Sequence, residues 1–189
     1  MMEISLIRHG KSRLTEKERV NSIEFKKWVE KYDHNGVYEE STYPSATLDK
    51  VASANIIVTS DLKRSIESAR FLNPVSKIIT DPLFRETQLP SKPSLHPYVK
   101  LKPSTWAIIL RLIWLSGYSD ECESLAQARI RASKASQRLI DYAYEYKSMA
   151  LVGHGFFNML IAKELKKKGW QGKGDSKKHW NCKTLSFFN

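Results

Sequence analysis

Short apolar runs alternate with longer amphipathic stretches along this sequence, and the alternation restricts the fold more than any other feature. Four runs of aliphatic and β-branched residues end at turn-forming residues, as buried strands do, and they cover 4–7, 55–59, 76–80 and 149–152. Strands that alternate with helices form sheets covered on both faces. We therefore predict an α/β fold, a three-layer α/β/α sandwich around a mostly parallel sheet.

The stretches between these runs carry apolar residues at helical spacing. They predict helices over 16–32, 43–51, 61–72, 104–115, 122–146 and 156–168, and 184–188 is a candidate edge strand. Ser60 is the expected N-cap of the helix that begins at residue 61.

The length of 189 residues predicts a single domain over 1–189, because folding at this size buries roughly 70% of the chain's surface. No apolar run approaches the ~18 residues of a membrane span, and the first residues lack the pattern of a signal peptide. Cys122 and Cys182 match neither a disulfide framework nor a metal motif. We expect a reduced, soluble, cytoplasmic domain without contact to a membrane.

The balance of 31 Lys+Arg against 20 Asp+Glu gives a net charge of +11, which favours anionic partners. Lysines are concentrated in 163–183, where a solvated basic face is the simplest interpretation. A basic nucleic-acid-binding module is an alternative, although no zinc-finger or RNP-type motif supports it, and nucleic acid is an unlikely partner.

Three strand ends carry the residues with the most chemistry. Arg8-His9-Gly10 follows the first strand, Ser60 to Arg64 follows the second, and Gly153-His154-Gly155 follows the fourth. Ligands of such sheets bind beyond the carboxyl ends of the strands, and helices beginning after Gly10, Ser60 and Gly155 would add N–H donors there. Arginine binds phosphate with two parallel hydrogen bonds, and histidine can act as a nucleophile. Together these residue types predict a phosphoryl-transfer site.

The segments 6–12, 60–69 and 152–155 resemble the motifs of the histidine phosphatase superfamily, whose fold is phosphoglycerate mutase-like. The resemblance implies that His9 attacks phosphorus and forms a phosphohistidine. It implies that Arg8, Arg64 and His154 hold the phosphoryl oxygens and act in catalysis, and that the Ser12 hydroxyl contacts phosphate.

In this family an acidic residue after the third strand protonates the leaving group and then activates water. Glu86 matches that position best, and Glu39 and Glu40 are rivals. Lys11 and Thr15 depart from the family pattern and affect substrate contacts rather than the core chemistry. We interpret His34, His96 and His179 as surface or structural residues. A metal site is not expected, because no His-Glu-x-x-His motif or paired-carboxylate pattern is present.

The resemblance implies a metal-independent phosphoric monoester hydrolase that needs no cofactor and acts on a small phosphorylated substrate. A phosphoglycerate-mutase-type phosphoryl transferase is the alternative, which we favour less because such mutases resemble longer chains. A catalytically idle relative that binds phosphorylated ligands is a third possibility.

The segment 87–124 is the expected cap or insert, because four prolines make its first part irregular and an apolar helix follows. The helix at 106–115 is apolar nearly all round, which indicates burial on two sides, a ligand contact or a homodimer contact. We expect it to cover the crevice and select the leaving group.

Overall fold

The computed structural model describes residues 1–15, 17–90 and 98–188, which fold around a five-stranded sheet. Its strands are β1 (Met2–Arg8), β2 (Ile56–Thr59), β3 (Ile78–Thr80), β4 (Ser148–Gly153) and β5 (Cys182–Phe187). The order is β3-β2-β4-β1-β5, and only the β1–β5 pair is antiparallel. Arg8 pairs with Gly153 in the β1–β4 register. The residues that follow these two strands therefore emerge side by side.

Within the described ranges the helices are α1 (Ser22–His34), α2 (Ser45–Ala52), α3 (Lys63–Leu72), α4 (Pro103–Leu115), α5 (Leu125–Tyr146) and α6 (Gly155–Lys167). Side chains alternate across β1, so that Ile4 and Leu6 pack with α5 and α6, and Ile7 packs with α2 and α3. This confirms the three-layer α/β/α sandwich with a mostly parallel sheet. None of these helices is long and apolar enough to cross a membrane.

Three predicted helix starts were wrong because a capping or competing hydrogen bond intervenes. The first helix begins at Ser22, where Asn21 forms a capping box, and the fifth begins at Leu125 after a similar box at Ser124. Ser60 is not an N-cap. The third helix begins at Lys63, and the Ser60 hydroxyl accepts only a long hydrogen bond of 3.3 Å from Leu62 N and lies closer, at 2.8 Å, to His154 Nε2.

The apolar helix α4 buries one face and exposes the other. Trp106, Leu110 and Trp114 are buried, whereas Ile108 and Leu112 are 63% and 62% exposed. The prediction that this helix is buried on two sides is therefore wrong for the described part of the chain. The cap over 87–124 and the homodimer contact stay predictions, and residues 91–97 lie outside the described part of the chain.

Candidate active site

Two buried histidines meet where β1 and β4 end. The ring centroids of His9 and His154 lie 5.1 Å apart, with the ring planes inclined by 62°. His9 is 4% exposed and His154 is fully buried. Gly10 is required beside them, because a Cβ at this position would overlap the Trp180 indole. The register of the two parallel strands thus brings together the two histidines that the sequence placed at one crevice.

The hydrogen bond of the His9 ring determines which nitrogen can attack. His9 Nδ1 lies 2.7 Å from the Gly10 carbonyl oxygen, which can only accept, so Nδ1 carries the proton. Nε2 then presents its lone pair. Burial, followed by the positive charge of Arg64, lowers the pKa of His9 well below 6.5. The ring is therefore neutral at neutral pH, as a nucleophile must be.

The His154 ring is held by two serine hydroxyls. Its Nε2 lies 2.8 Å from Ser60 Oγ and 3.2 Å from Ser65 Oγ. Its Nδ1 is buried and has no partner among the described residues. Burial, and then Arg64, lower the pKa of His154 well below its usual value. The serines orient the ring through one nitrogen and leave the other for a ligand.

Arg64 supplies a buried positive charge to this site. Its side chain is only 3% exposed, and Nη1 donates to Asp33 Oδ1 at 2.7 Å. The guanidinium carbon lies 4.7 Å from the centroid of the Tyr32 ring, within cation–π range. Its Nε is buried without a partner in the described chain. Arg64 therefore retains a donor for an anionic ligand.

Arg8 enters the same site from the end of β1. One of its Nη1 hydrogens is donated to the Lys177 carbonyl, and its Nε is buried without a partner in the described ranges. A Cβ at Gly155 would lie 3.1 Å from that Nε, so the glycine leaves room for the guanidinium. Arg8 and Arg64 both lower the pKa of His9, as expected for cations close to the ring. Two guanidinium groups beside a neutral imidazole suit a phosphoryl group.

Glu86 lies at the edge of this cluster and caps α6. Its carboxylate accepts hydrogen bonds from Phe156 N at 3.1 Å and from Phe157 N at 2.9 Å. The N–H of Thr87 also donates to it, at 2.9 Å. Glu86 lines a cavity together with Arg8, whereas its rival Glu40 accepts from the Trp180 indole N–H. The choice of Glu86 over Glu39 and Glu40 as the acid stays a prediction.

The expectation that helices after Gly10, Ser60 and Gly155 all add N–H donors to one anion is wrong for Gly10 and stays a prediction for the other two. After Gly10 the next helix begins only at Ser22, and α3 begins two residues beyond Asp61. In α6 the N–H groups of the second and third residues, Phe156 and Phe157, donate to Glu86. The positive charge of the site therefore comes mainly from side chains.

The structure does not join Ser12 to the cluster. Its buried hydroxyl accepts a hydrogen bond from Leu14 N at 3.2 Å, and its backbone bridges to Val37. A contact between Ser12 and phosphate stays a prediction.

Sequence reasoning missed His179 as a neighbour of the site. Its ring centroid lies 5.5 Å from that of His9, and its Nδ1–H donates to the His9 carbonyl oxygen at 2.8 Å. Burial lowers the pKa of His179. The sequence feature that could have placed His179 beside His9 is the predicted edge strand at 184–188. A final strand antiparallel to β1 would begin at the end where β1 finishes, which places the preceding residues beside His9.

Asp33 and Tyr32 were also missed, because both contact Arg64 from a helix about thirty residues earlier in the chain.

Among residues 1–15, 17–90 and 98–188, no three His, Cys, Asp or Glu side chains form a group that could hold a metal ion.

Comparison with known proteins adds a family and a set of structures. The model of the histidine phosphatase superfamily (branch 1) matches residues 43–183, which include Arg64, Glu86 and His154. A search of curated proteins finds no match.

The solved structures that share this fold include the following three. Mycobacterial hydrolase 2 is 20% identical, with a TM-score of 0.61 over 88% of this chain and 72% of that one. Mycobacterial glucosyl-3-phosphoglycerate phosphatase is 18% identical, with a TM-score of 0.55 over 88% and 80% of the two chains. Phosphoserine phosphatase from Entamoeba histolytica is 17% identical, with a TM-score of 0.57 over 100% and 97%. At these identities the likeness concerns the fold alone.

Proposed function

The chain belongs to the histidine phosphatase superfamily (branch 1), and we propose that it hydrolyses phosphomonoesters through a phosphohistidine on His9. The observation that carries this proposal is the His9 ring. It is buried beside His154, and its hydrogen bond to the Gly10 carbonyl leaves Nε2 as the free base. Two of the neighbours in fold are phosphatases, which supports hydrolysis over phosphoryl transfer between metabolites.

In the first step Nε2 of His9 attacks phosphorus, the N–P bond forms and the ester P–O bond breaks. Negative charge spreads over the equatorial oxygens of the transferred group. Arg8 and Arg64 offer guanidinium N–H groups to those oxygens, and His154 offers its unpartnered nitrogen. Fixed donors in a buried site stabilise this transition state more than the ground state.

The leaving alkoxide needs a proton, and Glu86 supplies it by starting the cycle as a carboxylic acid. The carboxyl would have to release Phe156 N–H or Phe157 N–H to present it, so a small movement accompanies this step. Glu86, now ionised, takes a proton from the incoming water. The water oxygen attacks phosphorus, the N–P bond breaks, and His9 and Glu86 return to their starting states. These steps use protein side chains only, without a metal ion or cofactor.

Hydrolysis of an aryl phosphate tests this mechanism when it is measured with and without a chelator. We expect activity to persist in the chelator and to fall by at least about 10³-fold in His9→Ala, which removes the nucleophile. His34→Ala is the matched control, because His34 is exposed on α1 and its ring forms a hydrogen bond with the Glu30 carbonyl of the same helix. Loss of activity in the chelator would contradict metal independence, and an active His9→Ala would contradict the role of His9.

A further inference from the structure

A cavity of about 530 Å³ extends from Arg8 and Glu86 along α6. This volume lies within the range of pockets that enclose small-molecule ligands. The cavity shares Arg8 and Glu86 with the proposed phosphoryl site, whereas His9, Arg64 and His154 are not part of its lining. The remainder of its lining is chemically different and takes no part in the proposed steps.

The outer face of α6 gives this cavity an apolar strip. Phe156, Met159 and Ala162 line it at three-residue spacing, which places them on one side of the helix. Met159 is 37% exposed, so part of this strip is open. The strip begins beside the residue that caps the helix and leads away from Arg8. An apolar portion of a substrate's leaving group can lie along it.

Lysines lie beyond and beside the strip. Lys163, Lys166, Lys177 and Lys183 line the same cavity. Lys163 and Lys166 follow Gly155 by eight and eleven residues, which corresponds to about 12 and 16 Å along the helix axis. They are thus well separated from the phosphoryl site. A lysine-lined cleft concentrates anions.

The acidic groups nearby do not neutralise these lysines. The neighbouring Glu164 pairs with Lys167 at 2.6 Å, and in the described chain neither Lys163 nor Lys166 takes part in an ion pair. Five cationic and two acidic side chains line the cavity, and one of the acids is Glu86. The other, Asp175, accepts a hydrogen bond from the Lys177 backbone. The distal part of the cavity is therefore positively charged and partly apolar.

We infer that the substrate is a phosphomonoester whose leaving group has an apolar middle part and a second anionic group at its far end. The inference rests on the proposed phosphatase activity. The transferred phosphate binds Arg8 and Arg64, the apolar part lies against Phe156 and Met159, and the distal carboxylate or phosphate binds Lys163 and Lys166.

Two esters that differ only at the far end test this inference. Biphenyl-4-yl phosphate offers the apolar part alone, and its 4′-carboxylate adds a distal anion. We expect kcat/KM of the native protein to be about tenfold higher for the carboxylated ester, as local concentration of an anion predicts. In Lys163→Gln/Lys166→Gln we expect this ratio to fall close to one, mainly through a higher KM for the carboxylated ester.

Lys77→Gln/Lys134→Gln is the matched control. It removes the same charge from exposed positions outside the cavity, so the tenfold ratio should remain. Equal kcat/KM for both esters in the native protein would overturn the inference and leave the phosphatase intact. A preference that survives Lys163→Gln/Lys166→Gln would overturn the assignment to these lysines. Hydrolysis of neither ester would contradict the proposed function itself.

Discussion

Two regions beside the candidate active site are built differently, and we call them the sheet wall and the helix wall. The sheet wall carries His9 and His154 at the ends of paired parallel strands, with both rings buried and held by hydrogen bonds. The helix wall is formed by α1 and α4, whose shared cluster contains three buried residues, Phe25, Trp106 and Leu110. It reaches the site through Asp33, whose side chain is 41% exposed.

This difference separates two tasks. Groups that act on the transferred phosphate must be held in place before the reaction, and the ends of buried strands hold them rigidly. Arg111 of α4 lies over the ring of Phe156, at the start of the apolar strip that we propose for the leaving group. The lightly packed helix wall can therefore affect the leaving group, and it can move or change at low cost to the core. The comparison predicts that changes to the sheet wall affect all substrates, whereas changes to the helix wall affect some.

Among the changes that test this comparison, Arg64→Gln has the largest expected effect. This change removes a buried guanidinium beside His9, and we expect kcat to fall by about 10²–10³-fold. The loss should be equal for aryl phosphates with small and bulky leaving groups, because both transfer the same phosphoryl group. Steady-state kinetics with two such esters measure it.

Asp33→Asn is the matched variant, because it removes the partner of Arg64 and keeps the guanidinium. Inorganic phosphate competes with the Asp33 carboxylate for Arg64, so its inhibition constant should fall by up to about fivefold. A loss of activity as large as that of Arg64→Gln would mean that Asp33 positions the arginine, and the two walls would no longer be separate.

Trp106→Ala tests whether the helix wall is a separate unit. Trp106 is fully buried and its indole N–H donates to the Val20 carbonyl at 2.7 Å, so truncation should cost about 3 kcal/mol locally. Native-state amide exchange should show reduced protection in α1 and α4 with β1 and β4 unchanged, and the preference among leaving groups should change.

Leu112→Ala on the same helix is the control, since Leu112 is 62% exposed and should change stability by at most about 0.5 kcal/mol. Equal loss of protection in the sheet and the helices after Trp106→Ala would show one cooperative unit instead of two walls.

The smallest effect concerns the pH dependence of stability. The pKa of His9 lies well below 6.5 in the folded chain. As the pH falls below 6.5, the unfolded chain therefore binds a proton at His9 that the folded chain does not bind. Stability should therefore decrease by up to about 1 kcal/mol between pH 6.5 and 5.5 on account of this residue. In urea unfolding, the free energy of unfolding of His9→Gln should depend less steeply on pH than that of the native chain. If the two curves were parallel, the proton taken up on unfolding would bind a residue other than His9.

The sheet wall could be predicted from the sequence because its signals are local. An apolar run followed by Arg8-His9-Gly10, and another followed by Gly153-His154-Gly155, reveal both the strands and what their ends carry. Parallel pairing then brings the two histidines together without further information.

The other contacts depend on segments distant in the chain. The ion pair of Arg64 with Asp33 joins α3 to α1, and His179 reaches His9 only because β5 runs antiparallel to β1. Ser60 is a single residue whose main contact could not be predicted for the same reason. Its position before a helix predicts an N-cap, but its hydroxyl forms its shorter hydrogen bond with the buried imidazole of His154, which lies far along the chain.

The central claim is that His9 carries the phosphoryl group during turnover, and Glu86→Gln offers a direct test. With 4-nitrophenyl phosphate the leaving group needs no proton, so the first step proceeds while the water step is slowed. After rapid mixing with phosphate-labelled ester, we expect one equivalent of nitrophenol per chain and label on the peptide that contains His9, stable in alkali and lost in acid. The absence of a burst, or label on any other residue, would contradict the account.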